Sequence, residues 1–170
     1  MDVEILSWKS KGLRCPDLEI NLEGAGKNLT LLQMPNGTGK TTTLNLIKKC
    51  FHEDTGLSKE EILEFRRTEE DNDKGEFELK LNVNNQTIII LLNFNFKEGK
   101  LSYQTSGAHT GGLQPGLILP NEILNVVDKK FVDLLFFDLE FARGLFKNQR
   151  TEAKNAIEKL CKAHLIDETI

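Results

Sequence analysis

The chain is poor in several features that would define other protein classes. Its three cysteines, Cys15, Cys50 and Cys161, are odd in number and far apart, with neither a Cys-x-x-Cys pair nor histidine at zinc spacing. That pattern argues against both a disulfide framework and a metal knuckle. His52, His109 and His164 likewise show no metal spacing. Excess positive charge is missing: 22 Lys and Arg face 26 Asp and Glu, for a net charge of -4. A stand-alone nucleic-acid module is therefore not expected, because neutralising phosphates takes a surplus of basic residues. Long apolar runs are missing too. The longest, IIILL at 88 to 92, is far short of the roughly 20 residues that span a bilayer, and the start, MDVEILSWKSKG, carries acids where a signal peptide has an apolar core. The expectation is a reduced, cytoplasmic chain without a membrane partner. With 39% hydrophobic residues and only four prolines in 170, it is long enough for a real core.

The richest local signal is QMPNGTGKTTTL at 33 to 44, which follows the apolar stretch NLTLLQ. A phosphate loop needs successive backbone N–H groups that turn inward around an oxyanion, followed by a helix N-terminus whose dipole favours negative charge. Gly37 and Gly39 supply the turns, with Asn36 and Thr38 between and before them. Lys40 would reach the β- and γ-phosphates, Thr41 would hold Mg²⁺ through its hydroxyl, and Thr42 could bond the α-phosphate. Met34 stands where the pattern G-x-x-x-x-G-K-[ST] has its first glycine, which β-like dihedrals would tolerate.

Around this loop the chain reads as strands and short helices. Residues 3 to 8 and 18 to 22 look like strands separated by GLRCPD, and residues 29 to 33 like a third strand feeding the loop. Leu44, Ile47 and Phe51 recur at helical spacing after it. Ser58 with Glu61 forms a capping box that opens a helix to about residue 67. Phe77, Leu79, Leu81 and Val83 alternate with polar residues, and Asn84-Asn85 suits a tight reversal, so the middle of the chain is expected to be an antiparallel meander through residue 104. Residues 106 to 118 carry four of the thirteen glycines and read as a loop, and Pro120 opens a short helix. Thr151 caps an amphipathic helix.

FVDLLFFD at 131 to 138 reads as an apolar strand ending on an acid. Asp138 and Glu140 could be a Walker B metal partner and base, or Asp138 could begin a loop that senses the γ-phosphate. DNDKG lacks the ligands of a calcium loop. Lys48-Lys49 and Arg66-Arg67 are short basic pairs, read as solvated helix faces or as contacts to DNA phosphates.

The order of broken strands, PNGTGKT, meander and strand ending in an acid resembles the N-terminal half of an SMC-type ATPase head. GLRCPD, FFDLE and LFKNQRTEAKNAIEKL look most like the DndD-related ATPases and the LmuB subunit of Lamassu anti-phage systems, although Leu139 stands where those proteins carry glycine. The resemblance implies an α/β P-loop NTPase lobe over 1 to 150 with a mixed sheet, and a helix over 151 to 170 leading toward a coiled coil. It implies ATP and Mg²⁺ as cofactors, nucleotide contact by Arg14, and Asp138 approaching Mg²⁺ and the γ-phosphate. It implies as partners a C-terminal head lobe, a second head that sandwiches ATP, double-stranded DNA, and effector subunits of a defence system. The family's L-S-G-G-Q-like signature and catalytic Glu have no counterpart in the sequence, so no residue is assigned as catalytic. A complete small P-loop kinase or nucleotidase, using Asp138 and Glu140, and a non-catalytic interaction module are the competing readings.

Overall fold

The computed structural model describes residues 2–24, 30–53, 56–67, 72–106, 112–126 and Val132. The chain divides into two compact units, Met1–Leu119 and Pro120–Ile170.

The first unit is built on a six-stranded antiparallel sheet. Its strands are β1 (Val3–Lys11), β2 (Leu18–Asn21), β3 (Lys74–Val83), β4 (Gln86–Asn95), β5 (Lys100–Ser106) and β6 (Gln114–Pro115), in spatial order β2-β1-β3-β4-β5-β6. Side-chain alternation gives β3 and β4 one apolar face: Phe77, Leu79, Leu81 and Val83 on β3 lie opposite or beside Ile88, Ile90 and Leu92 on β4, all buried. Register extends these rows across the sheet. Trp8, Leu79, Ile90 and Thr105 form one row and Ser10, Phe77, Leu92 and Tyr103 the next. The Asn84-Asn85 reversal has φ of 48° and 65° at its two positions, the left-handed pair that asparagine tolerates in a two-residue hairpin. β1 bulges between Ile5 and Ser7 where it pairs with β3, while on its other side the Leu6 carbonyl accepts from the Leu22 amide at 2.8 Å and continues the β1–β2 register.

Two helices belong to the same unit, α1 (Lys40–Lys49) and α2 (Lys59–Leu63). The expected capping box opens α2, with Ser58 Oγ accepting from the Glu61 amide at 3.2 Å and Glu61 Oε2 accepting from the Ser58 amide at 2.8 Å. On α1 the buried face is Thr43, Leu46 and Ile47, continued by Cys50 and Phe51, whereas Leu44 is only half-buried. The second unit begins with α3 (Asn121–Val126), after the expected Pro120. The Asp138 site, the 151 to 170 helix and the boundary at 150 lie outside the described residues; of the stretch 131 to 138 only Val132 is described, in helical conformation.

Two expectations need correction. Residues 30 to 33, read as the strand that feeds the phosphate loop, pair with no strand among the described residues, and Leu31 is 89% exposed. The mixed sheet is likewise not what these residues form: every described pairing is antiparallel. The reason is common to both. An apolar run becomes a strand only when a neighbour satisfies its N–H and C=O groups, and the described residues offer this run no neighbour.

Candidate functional site

The loop before α1 is shaped by its glycines. Gly37 and Gly39 have φ of 80° and 78°, the left-handed region that costs other residues about 1–2 kcal/mol. At Gly37 a Cβ would meet nothing within 4 Å, so only the backbone conformation requires glycine. At Gly39 space requires it too: a Cβ there would lie 2.8 Å from Cα and Cβ of Cys15 and 2.9 Å from the carbonyl oxygen of Arg14. Gly39 is the N-cap of α1, with no side-chain cap and no acid in the first turn. The helix start therefore keeps its partial positive charge and its free amides available to an anion.

Lys40 folds back over this loop, donating from Nζ to the Met34 carbonyl at 3.0 Å and to Asn36 Oδ1 at 2.9 Å. Thr38 Oγ1 donates to the Pro35 carbonyl at 2.7 Å, closing the turn beneath it. Among described non-glycine residues only Asn84 and Asn85 have positive φ, so Met34 adopts no conformation that glycine alone could take. Thr41 is exposed and Thr42 half-buried on the first turn, while Thr43 points into the protein. These residues fit a phosphate-Mg²⁺ group: the Gly39 cradle, the open helix start, one cation above the loop and an exposed hydroxyl beside it are the required donor set.

Arg14, 25 positions before Gly39 in sequence, is brought to the loop by the segment 12–17. It is exposed, and its backbone carbonyl is part of the wall against which Gly39 rests. That segment is tied down at many points. Ser10 Oγ donates to the Pro16 carbonyl at 2.6 Å, the Gly12 amide to Asp17 Oδ1 at 2.8 Å and the Arg14 amide to the Phe65 carbonyl at 2.7 Å. Burial pushes the Cys15 thiol above its ordinary ionisation range, against hydrogen bonds with Ser10 and Thr43 that pull it down. Sequence reasoning singled out Arg14 but missed Cys15 and Asp17.

The arginine pair differs from the solvated helix face expected of it. Arg66 Nε donates to the Asn72 carbonyl at 3.1 Å, Arg67 binds the 12–17 segment, and Lys49 Nζ stands 5.4 Å from the Phe65 ring centroid. Arg66, Arg67 and Lys49 are thus engaged with the protein itself, and Arg67 meets the segment 12–17 where that segment crosses beyond the end of α2 at the Leu13 and Arg66 bridge. No periodicity in the sequence signals that crossing.

Among the described residues, no cluster of three or more His, Cys, Asp or Glu is arranged to hold a metal ion, and no helix is long and apolar enough to cross a membrane. No curated protein matches the chain. A family model described as an AAA domain matches residues 9–167, nearly its whole length. By that match the chain belongs to the AAA-domain family of P-loop ATPases found in SMC-like proteins.

Proposed function

We propose that this chain is the ATP-Mg²⁺-binding lobe of an SMC-like ATPase. Lys40 and the amides from Gly37 to Thr42 receive the phosphates, Asn36 and Thr38 shape the loop, Thr41 holds Mg²⁺, Arg14 contacts the nucleotide and Asp138 reads the γ-phosphate. The observation that carries this reading is the uncapped start of α1, with Gly39 seated on Cys15 and the Lys40 ammonium held over the loop by Met34 and Asn36. Those two hydrogen bonds are exposed and cheap to exchange for phosphate oxygens.

The exposed Leu31 and Leu32 support the lobe reading. An apolar run with no strand partner among the described residues suits a strand supplied by a C-terminal head lobe, which would complete the sheet beside the phosphate loop. Two such heads sandwich ATP, and the pair grips double-stranded DNA in a defence or repair system of the DndD or Lamassu kind, with its effector subunits. The net charge of -4 leaves that grip to a local surface of the assembled dimer.

The test is calorimetric titration of ATP-Mg²⁺ into the chain with turnover followed in parallel. Binding that Lys40→Ala removes, with turnover near background, is expected. Appreciable hydrolysis by the chain alone, lost in Lys40→Ala, would instead identify a complete small P-loop enzyme.

A further inference from the structure

Arg67 reaches from the segment after α2 to three points on the segment 12–17. Its Nε donates to the Leu13 carbonyl at 3.1 Å, and its Nη2 donates to the Cys15 carbonyl at 3.0 Å and to Asp17 Oδ1 at 2.6 Å. The Asp17 oxygen that receives it also accepts from the Gly12 amide, so one carboxylate ties the guanidinium to the beginning of the same segment. The middle of that segment is Cys15, the wall behind Gly39, and its rim is the exposed Arg14. Of the side chains outside the segment that bond to it, Arg67 makes the most bonds, three, beside the single bond from Ser10, and so bears on where both stand relative to the phosphate loop.

We propose that Arg67 is a positioning residue of the nucleotide site: it clamps the segment 12–17 against the start of α1, so that the Gly39 turn and the Arg14 guanidinium are presented together. The inference rests on the reading of this loop as a nucleotide site. It requires arginine, because two carbonyls and a carboxylate are bridged by a rigid planar fork, and a lysine ammonium offers a point charge on a flexible stem. Arg67 touches no phosphate in this role. It acts through Cys15 and Arg14.

The test uses the full chain and two readings. Calorimetry measures ATP-Mg²⁺ affinity, and iodoacetamide labelling mapped by mass spectrometry measures how fast Cys15 is alkylated, with the fully buried Cys50 as internal control. Arg67→Ala is expected to weaken ATP about tenfold, the scale of one lost charged hydrogen bond. It is also expected to speed Cys15 labelling severalfold while Cys50 stays protected, with Arg67→Lys intermediate in both. In the double variant with Arg14→Ala the loss of affinity falls short of the sum of the singles, because both act through one contact. Cys15 labelling unchanged by Arg67→Ala overturns the clamp. Faster Cys15 labelling with unchanged affinity overturns the positioning role. If Arg67→Ala exposes Cys50 as well, the chain has unfolded, and Asp17→Asn, which leaves the two carbonyl bonds of Arg67 in place, decides by the same two readings. Failure of the wild type to bind ATP defeats the nucleotide reading itself, while the labelling arm still reports on the clamp.

Discussion

Gly37 and Gly39 share nearly the same φ but answer to different constraints, and substitution separates them. Gly37→Ala meets open space and carries only the left-handed strain, about 1–2 kcal/mol. Gly39→Ala carries that strain and also drives a methyl into Cys15 and the Arg14 carbonyl, where backbone must move. Thermal unfolding should therefore show a distinctly larger loss for Gly39→Ala than for Gly37→Ala; equal losses would mean that the loop and Cys15 do not touch. Lys40 gives the opposite pattern. Its two hydrogen bonds are exposed, so Lys40→Ala should change the melting temperature little while removing most ATP binding. A variant that binds ATP as the wild type does would take the lysine out of the site.

At the scale of elements, what was legible in the sequence is what local chemistry decides. The meander follows from alternation over Phe77 to Val83 and the turn pair Asn84-Asn85, and α2 follows from Ser58 and Glu61, all within reach of a few residues. Ser58→Ala should accordingly cost about 1 kcal/mol by chemical denaturation. A null effect would make the cap dispensable. The phosphate loop itself was legible because its function fixes residue types at fixed spacing. Residues 30 to 33 have the apolarity of a strand but pair with no strand among the described residues, because strand formation depends on a neighbour and apolarity alone does not supply one. Arg67 was misread for a similar reason, since its partners lie about 50 positions away and are mostly carbonyls, which carry no residue signature. Leu31, at 89% exposure, contributes nothing to the isolated fold. Leu31→Ser should leave the melting temperature unchanged and lower self-association, read by light scattering. Strong destabilisation would show that the run is buried after all.

At the scale of the whole molecule, two buried thiols make stability depend on alkaline pH. Burial raises the ionisation of Cys15, and raises that of Cys50 well above its ordinary value of 9.0. Both thiols hold their proton more tightly in the folded chain than in the unfolded one. The stability this represents is full below pH 9.0 and is lost as pH rises past it toward the folded values. Cys50→Ala should flatten the decline of melting temperature above that pH, and an equally steep decline would assign it to other groups. On the function proposed above, the chain is a phosphate receptor that works with a second lobe, its loop seated on Cys15 and its Lys40 ammonium bonded to Met34 and Asn36. The most direct measurement is the titration of ATP-Mg²⁺ into the wild-type chain and Lys40→Ala. Saturable one-site binding by the wild type, absent from the variant, is the expected result; no binding at millimolar ATP would contradict the claim and leave the loop a structural turn.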